Sequence, residues 1–165
     1  MLNLHDRDWK EFYIKDIFFI NPGKRLTKTN MIDGNKPFIG ATDSNNGVTA
    51  FVSNSNISED RNVLGVNYNG SVVESFYHPY SCLFSDDVKL KAISGTKYHY
   101  LFFKTVILQQ KCKYAYGYKF NEQRMQKQMI LLPVTNSGTP DYDFMEQYIK
   151  EREQKITQNY ISFID

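Results

Sequence analysis

Apolar residues crowd the start of the chain, where Trp9, Phe12, Ile14, Ile17, Phe18 and Ile20 form a compact segment. It stops at Asn21-Pro22-Gly23, which reads as a turn. A basic loop, Lys24-Arg25-Leu26-Thr27-Lys28, follows, and Pro37-Phe38-Ile39 is a short strand candidate. The stretch from Gly40 to Gly47 is too polar and glycine-flanked for a core element. Leu64 to Tyr68 and Val72 to Phe76 flank Asn69-Gly70, the strongest short hairpin signal in the chain. Tyr80 to Leu90 reads as further strand, broken at Ser85-Asp86-Asp87.

Beyond this point the period changes twice. Leu101, Phe102 and Val106 at helical spacing predict a helix over 98–110. From Cys112 to Phe120 the alternation is two. Cys112, Tyr114, Tyr116, Tyr118 and Phe120 share one side; Lys111, Lys113, Ala115, Gly117, Lys119 and Asn121 share the other. As a strand, this segment would pack its aromatic side and leave its basic side free. Asn121 is placed to cap a short helix through Gln128. After Leu131-Leu132-Pro133-Val134 and a turn-rich linker, Asp141 is placed to cap a helix running almost to the end. Along it, Met145, Ile149, Arg152, Ile156, Asn159 and Phe163 keep the four-three alternation of a coiled coil, with polar residues at two seam sites. The other reading is that only its first turns dock on the domain. Twenty-odd helical residues span about 30 Å, long for a domain of this size.

At 165 residues, 41% hydrophobic and 15% aromatic, the chain is expected to be one globular unit with a real core. The organisation expected is a body over 1–140 and a helical arm over 141–165. Cys82 and Cys112 lie thirty residues apart without ligand spacing, and His5, His78 and His99 do not complete a zinc site. No signal peptide is legible at the start, and no apolar run approaches the ~18 residues that cross a bilayer. A cytoplasmic protein with no membrane partner is therefore expected.

Charge adds the functional signal. Between Lys97 and Lys127 seven cations face one acid, Glu122, within a chain of net charge +2, so the rest is net acidic. Interleaved tyrosines and amides suit a polyanion with bases to read, since cations pair with phosphates while Asn, Gln and Tyr reach base edges. The bland alternative is a solvated basic face beside an aromatic strand.

Catalytic motifs fail on inspection. Pro140-Asp141 and Glu153-Gln154-Lys155 imitate a nuclease metal site, yet both acids fall on one predicted helix, twelve residues and roughly 18 Å apart. Asp86-Asp87-Val88-Lys89 is an ordinary turn cluster. Asn21-Pro22-Gly23-Lys24 lacks the second proline and the aromatic of a base methyltransferase, and there is no Walker loop or nucleophile context. No catalytic residue, metal or cofactor is expected.

Taken in order, the segments resemble a target recognition domain from the specificity subunits of type I restriction–modification enzymes, with similar domains in type IIB and IIG systems. The resemblance runs from Trp9 to Lys155. It opens with Trp9-Lys10-Glu11-Phe12, Asp16 to Ile20 and Gly23-Lys24-Arg25-Leu26, and continues through Ile39-Gly40-Ala41-Thr42, Asn45-Asn46-Gly47-Val48 and Gly70-Ser71-Val72. Phe76 to Tyr80, Ser85 to Val88 and Tyr100-Leu101-Phe102 follow, and it closes with Tyr116 to Phe120, Ile130 to Val134 and Phe144-Met145-Glu146. The resemblance implies an α+β fold, an irregular wound β-rich recognition domain followed by a long C-terminal helix. It further implies sequence-specific binding of double-stranded DNA without catalysis. The implied partners are a methyltransferase subunit, the restriction subunit, and a second recognition domain or second copy joined through the helix. With one domain ending at Asp165, the chain is either a half-subunit that dimerises or a fragment of a longer one.

The candidate DNA contacts are Lys24, Arg25 and Lys28 in the basic loop, and Asn45, Asn46 and Thr49 around the glycine loop. Lys111, Lys113, Tyr116, Lys119, Asn121 and Arg124 form the basic cluster. Ordinary turn chemistry is the other reading of Asn45 and Asn46, and core packing that of Tyr116. A protein-interaction or assembly module, with a basic surface and a helical docking arm, is the alternative function.

Overall fold

The structure, a computed structural model, describes residues 1–85 and 88–164. The acidic pair Asp86-Asp87 lies outside the described residues. The opening apolar segment folds as β1 (Trp9–Tyr13), a single turn α1 (Ile14–Ile17) and β2 (Phe18–Pro22). Then come β3 (Asp33–Ile39), β4 (Val48–Val52), β5 (Val63–Val66), β6 (Ser75–His78), β7 (Leu83–Phe84) and β8 (Val88–Ala92). The chain ends with α2 (Lys97–Leu108), α3 (Glu122–Lys127), β9 (Met129–Pro133) and α4 (Tyr142–Ile164). This is the expected α+β fold.

The described strands form three small sheets. β1 pairs with β9 antiparallel, closing the body with its first and last strands; β2-β8-β5-β6 is a four-stranded sheet; β4-β3-β7 is the third, with β3 and β7 parallel. No sheet is wide enough to carry its own core, so α2 supplies the facing layer. Phe102, Phe103, Val106 and Ile107 from α2 meet Ile14, Phe18, Leu64, Val66, Leu90, Phe120, Met125 and Leu132 in one cluster. Burying each large side chain of this kind is worth about 1.5–3 kcal/mol. Two smaller clusters, built around Ile39 and Phe84 and around Phe38 and Leu83, fill the space beneath the third sheet.

The helix caps are those expected. Asn121 Oδ1 accepts from Arg124 N at 3.1 Å, and Asp141 Oδ1 accepts from Phe144 N at 2.9 Å. Asp141 Oδ2 also takes Arg7 Nε at 2.8 Å, fastening the start of α4 to the N-terminal segment. His99 Nδ1 accepts the Thr96 N–H at 2.8 Å, which leaves Nε2 to donate to Tyr142 O at 2.8 Å. That bond joins the starts of α2 and α4.

The first turns of α4 dock on the body, as one of its two readings expects, and the later turns do not. Phe144 and Met145 are buried and Ile149 packs on the main cluster. Arg152 is also occupied within the domain, donating to Leu2 O at 2.9 Å and lying over the Tyr148 ring. The later turns project, with Ile156 69% and Phe163 86% exposed. The apolar seam is therefore divided at Arg152, and only its distal part is open to a partner.

Two sequence expectations are corrected. The segment 112–120 is not a strand. Gln109–Lys113 is a 3-10 helix, and the chain then reverses at Tyr116-Gly117, with Ala115 and Tyr118 exchanging backbone hydrogen bonds of 3.2 and 2.9 Å. The period-two aromatics mislead because Tyr114 and Phe120 stand on opposite legs of a turn; both reach the main cluster, while Tyr116 and Tyr118 do not. The hairpin around Asn69-Gly70 is real, but Val72 and Val73 belong to its loop. β5 pairs with Ser75–His78, in the register Val66↔Ser75. Buried in the main core, Val72 and Val73 spend their apolar character on anchoring that loop.

Candidate nucleic-acid interface

Three segments distant in sequence converge on one surface. The first is the loop 40–47, in which Asn45, Asn46 and Gly47 have φ of 49°, 55° and 79°. Asn tolerates this left-handed region, and Gly47 is there because a Cβ would sit 3.3 Å from both Ile39 and Phe76. The second is the loop 67–74. Asn67 Nδ2 donates to Thr42 O at 2.8 Å, and Gly70 lies against Ala41 O, where a Cβ would approach to 2.7 Å. Val73 holds φ of 74°, a strained conformation for a β-branched residue, fixed by its buried side chain and by its N–H to Asn67 O at 2.9 Å.

The third segment, 111–124, carries the charge. Lys119 Nζ donates to Asn69 Oδ1 at 2.6 Å, and Lys111 pairs with Glu74, so this segment is stitched to the second loop at two points. Arg124 donates to Lys119 O at 2.6 Å and lies over the Tyr118 ring, 3.7 Å from its centroid. Tyr118 stacks on Tyr114 with centroids 5.7 Å apart. Tyr114 hydroxyl donates to Gln128 Oε1 at 2.7 Å; burial, helped by Tyr118, pushes its pKa up, so it stays a neutral donor. Tyr116 stands at the tip, 79% exposed, with Lys119 Nζ 5.2 Å from its ring. The tip therefore presents one bare aromatic ring among cations whose positions are fixed by their own hydrogen bonds.

The predicted residues fall into this frame unequally. Asn45 and Asn46 sit exposed on the first loop. Thr49 is exposed on β4, its hydroxyl donating to Phe38 O at 3.2 Å. Lys111, Lys113, Tyr116, Lys119 and Arg124 share the third segment. Lys113 is exposed and bonded to Gln110 Oε1 at 2.8 Å. The basic side is thus exposed or half-exposed, but its cations are already paired rather than free. The Asn121 side-chain oxygen is engaged as the cap of α3. Lys24, Arg25 and Lys28 are exposed on a loop held elsewhere, by Lys24 N donating to Phe84 O at 3.1 Å. Two residues that sequence reasoning passed over belong to the surface. Asn69, read as a turn residue, holds Lys119, and Tyr80 takes the Asn46 side chain at 3.2 Å. Nothing in the sequence pairs Tyr80 with a residue thirty-four positions earlier.

Among the described residues no group of three or more His, Cys, Asp or Glu is placed to hold a metal ion. No helix among them is long and apolar enough to cross a membrane.

Comparison with known proteins gives the family. Residues 6–159 match the model of the type I restriction modification DNA specificity domain. The chain belongs to this family. It is also 62% identical over 157 residues to the type II restriction enzyme BgcI specificity subunit S.BcgI of Heyndrickxia coagulans. That alignment covers 93% of this chain and 46% of the relative, so the chain spans about half its length. The fold is that of solved specificity subunits. The type I restriction–modification S subunit from M. genitalium superposes with a TM-score of 0.65 at 16% identity, over 96% of this chain and 42% of that one. The HsdS subunit from Thermoanaerobacter tengcongensis gives 0.64 at 11% identity, over 91% and 38%. The specificity-domain family thus accounts for the ordered segments singled out from sequence.

Proposed function

We propose that the chain is the DNA target-recognition component of a restriction–modification system and does no chemistry itself. The observation that carries this reading is the 62% identity to a specificity subunit, extending over nearly all of the chain. The surface adds a physical rationale. Lys111, Lys113, Lys119 and Arg124 supply phosphate contacts, and the loop amides Asn45 and Asn46, with Thr49, meet base edges. Tyr116 packs on sugar or base at the margin, Asn121 offers its amide nitrogen, and Lys24, Arg25 and Lys28 extend the contact along the backbone.

The recognition unit is residues 1–140, with 141–165 as the assembly helix whose first turns are shared with the body. The partners are double-stranded DNA, a methyltransferase subunit, the restriction subunit, and a second recognition domain or second copy meeting the distal turns of α4. Such a protein works in the cytoplasm, where the DNA is.

The test is a salt titration of binding to duplex DNA. Recognition through phosphates gives a log–log slope of about −0.9 per phosphate neutralised. A chain that binds duplex DNA with no salt dependence, or not at all at low salt, is something else. Turnover of DNA by the purified chain with Mg²⁺ and S-adenosylmethionine, abolished by point mutation within it, contradicts the non-catalytic part.

A further inference from the structure

Beneath the first recognition loop lies a polar relay that its role as a turn does not require. Asn46 Nδ2 donates to Tyr80 Oη at 3.2 Å, and the same oxygen lies 3.3 Å from His78 Nδ1. His78 is fully buried, edge-on to the rings of Tyr80 and Phe84. Burial pushes its pKa down to about 4, so the ring is neutral, and a single proton, on Nδ1 or on the hydroxyl, joins it to the tyrosine oxygen. The loop backbone is fixed independently of this relay. Gly47 is buried under the left-handed run, Gly40 N donates to Gly47 O at 3.0 Å, and Gly47 N to Ser44 O at 2.9 Å. The relay therefore acts on one thing the backbone leaves undetermined, the orientation of the Asn46 carboxamide.

That orientation matters for reading a base. An amide recognises adenine through two parallel bonds, its oxygen accepting from N6 and one N–H donating to N7. Turned over, it presents oxygen to N7 and the match is lost. Guanine offers two acceptors on the same edge, N7 and O6, so it cannot satisfy the amide oxygen in either orientation. Tyr80 Oη, held against His78, accepts the amide nitrogen of Asn46. One N–H and Oδ1 of Asn46 then remain for the ligand.

We propose that Tyr80, anchored on His78, is a positioning residue that fixes the Asn46 amide so that it reads an adenine in the major groove. The inference rests on the DNA-recognition reading above and adds to it the base and the residue that enforces it.

The experiment is selection of bound sequences from a randomised duplex DNA pool by the purified chain, compared across three variants. Asn46→Gly keeps the left-handed backbone that alanine would strain, so its loss is that of the amide alone. Tyr80→Phe removes only the hydroxyl at a side chain that is 39% exposed. Asn46→Asp replaces the donor with an acceptor. The parent is expected to enrich a motif with adenine at one position. Asn46→Gly loses preference at that position alone, and Tyr80→Phe weakens it there by roughly tenfold while the preferences at the other positions stay as in the parent. Asn46→Asp moves the preference toward cytosine, whose N4 is a donor. A Tyr80→Phe motif identical to the parent's, or a loss spread over every position, overturns the inference and leaves DNA recognition standing. A parent that binds no DNA or enriches no motif overturns the recognition reading, and the inference with it.

Discussion

Lys119 Nζ donates to Asn69 Oδ1 at 2.6 Å, joining two loops fifty residues apart. The bond holds a cation where its backbone alone would not, since residues 114–120 form a turn with no flanking sheet. Arg124 is likewise fixed, by Lys119 O and by the Tyr118 ring. Held cations lose little entropy on meeting phosphate, so each should count.

Replacing Lys113, Lys119 and Arg124 together by alanine is therefore expected to weaken duplex binding and flatten the salt slope by about one unit per lost phosphate contact. Electrophoretic titration at several salt concentrations measures this. A triple variant that binds like the parent at low salt places the contact surface elsewhere.

The divided seam of α4 leads to the second expectation. With Ile156 69% and Phe163 86% exposed, the distal turns carry an apolar stripe that the body leaves uncovered. In the proposed assembly this stripe pairs with the helix of a second domain or copy. Ile156→Asp with Phe163→Asp should shift any dimer to monomer, each buried side chain being worth about 1.5–3 kcal/mol, while circular dichroism shows the body still folded. Mass in solution over a range of concentrations decides it. A parent that stays monomeric throughout assigns the stripe to a different chain.

His78 gives the pH dependence of stability. Its pKa lies at about 4 in the folded protein against 6.5 for a free imidazole, because burial disfavours the charged ring. Between these values the unfolded chain binds more protons than the folded one, so stability falls as pH drops from 6.5 to 4. The full loss is on the order of 3 kcal/mol, reached once pH is below the folded value. Urea unfolding at pH 7.5 and pH 5 should show the difference, and His78→Asn should reduce it. Equal pH dependence in parent and variant would mean that His78 is not buried as described.

Much of the fold was legible because its signals are local. Asn121 and Asp141 announce caps, Leu101 to Val106 a helix, and Asn69-Gly70 a reversal, and each depends on a few neighbouring residues. The turn at Tyr116-Gly117 is not legible, because alternating aromatics cannot distinguish a pleat from two legs of a turn. Only the destination of Tyr114 and Phe120 in a core built by distant residues separates the two. Val72 and Val73 misled for a related reason, since β-branched residues were serving to anchor a loop. In the candidate surface, residue types were readable but their pairing was not. Asn69 with Lys119, and Tyr80 with Asn46, meet only because segments far apart in sequence are folded together.

The central claim is that this chain selects a DNA sequence, and selection from a randomised duplex pool tests it most directly. The purified chain is expected to enrich one short, defined motif, with enrichment falling when Asn46 is replaced and the motif persisting when Lys119 is. Recovery of the starting base composition at every position, from a folded chain that still binds the pool, would contradict it.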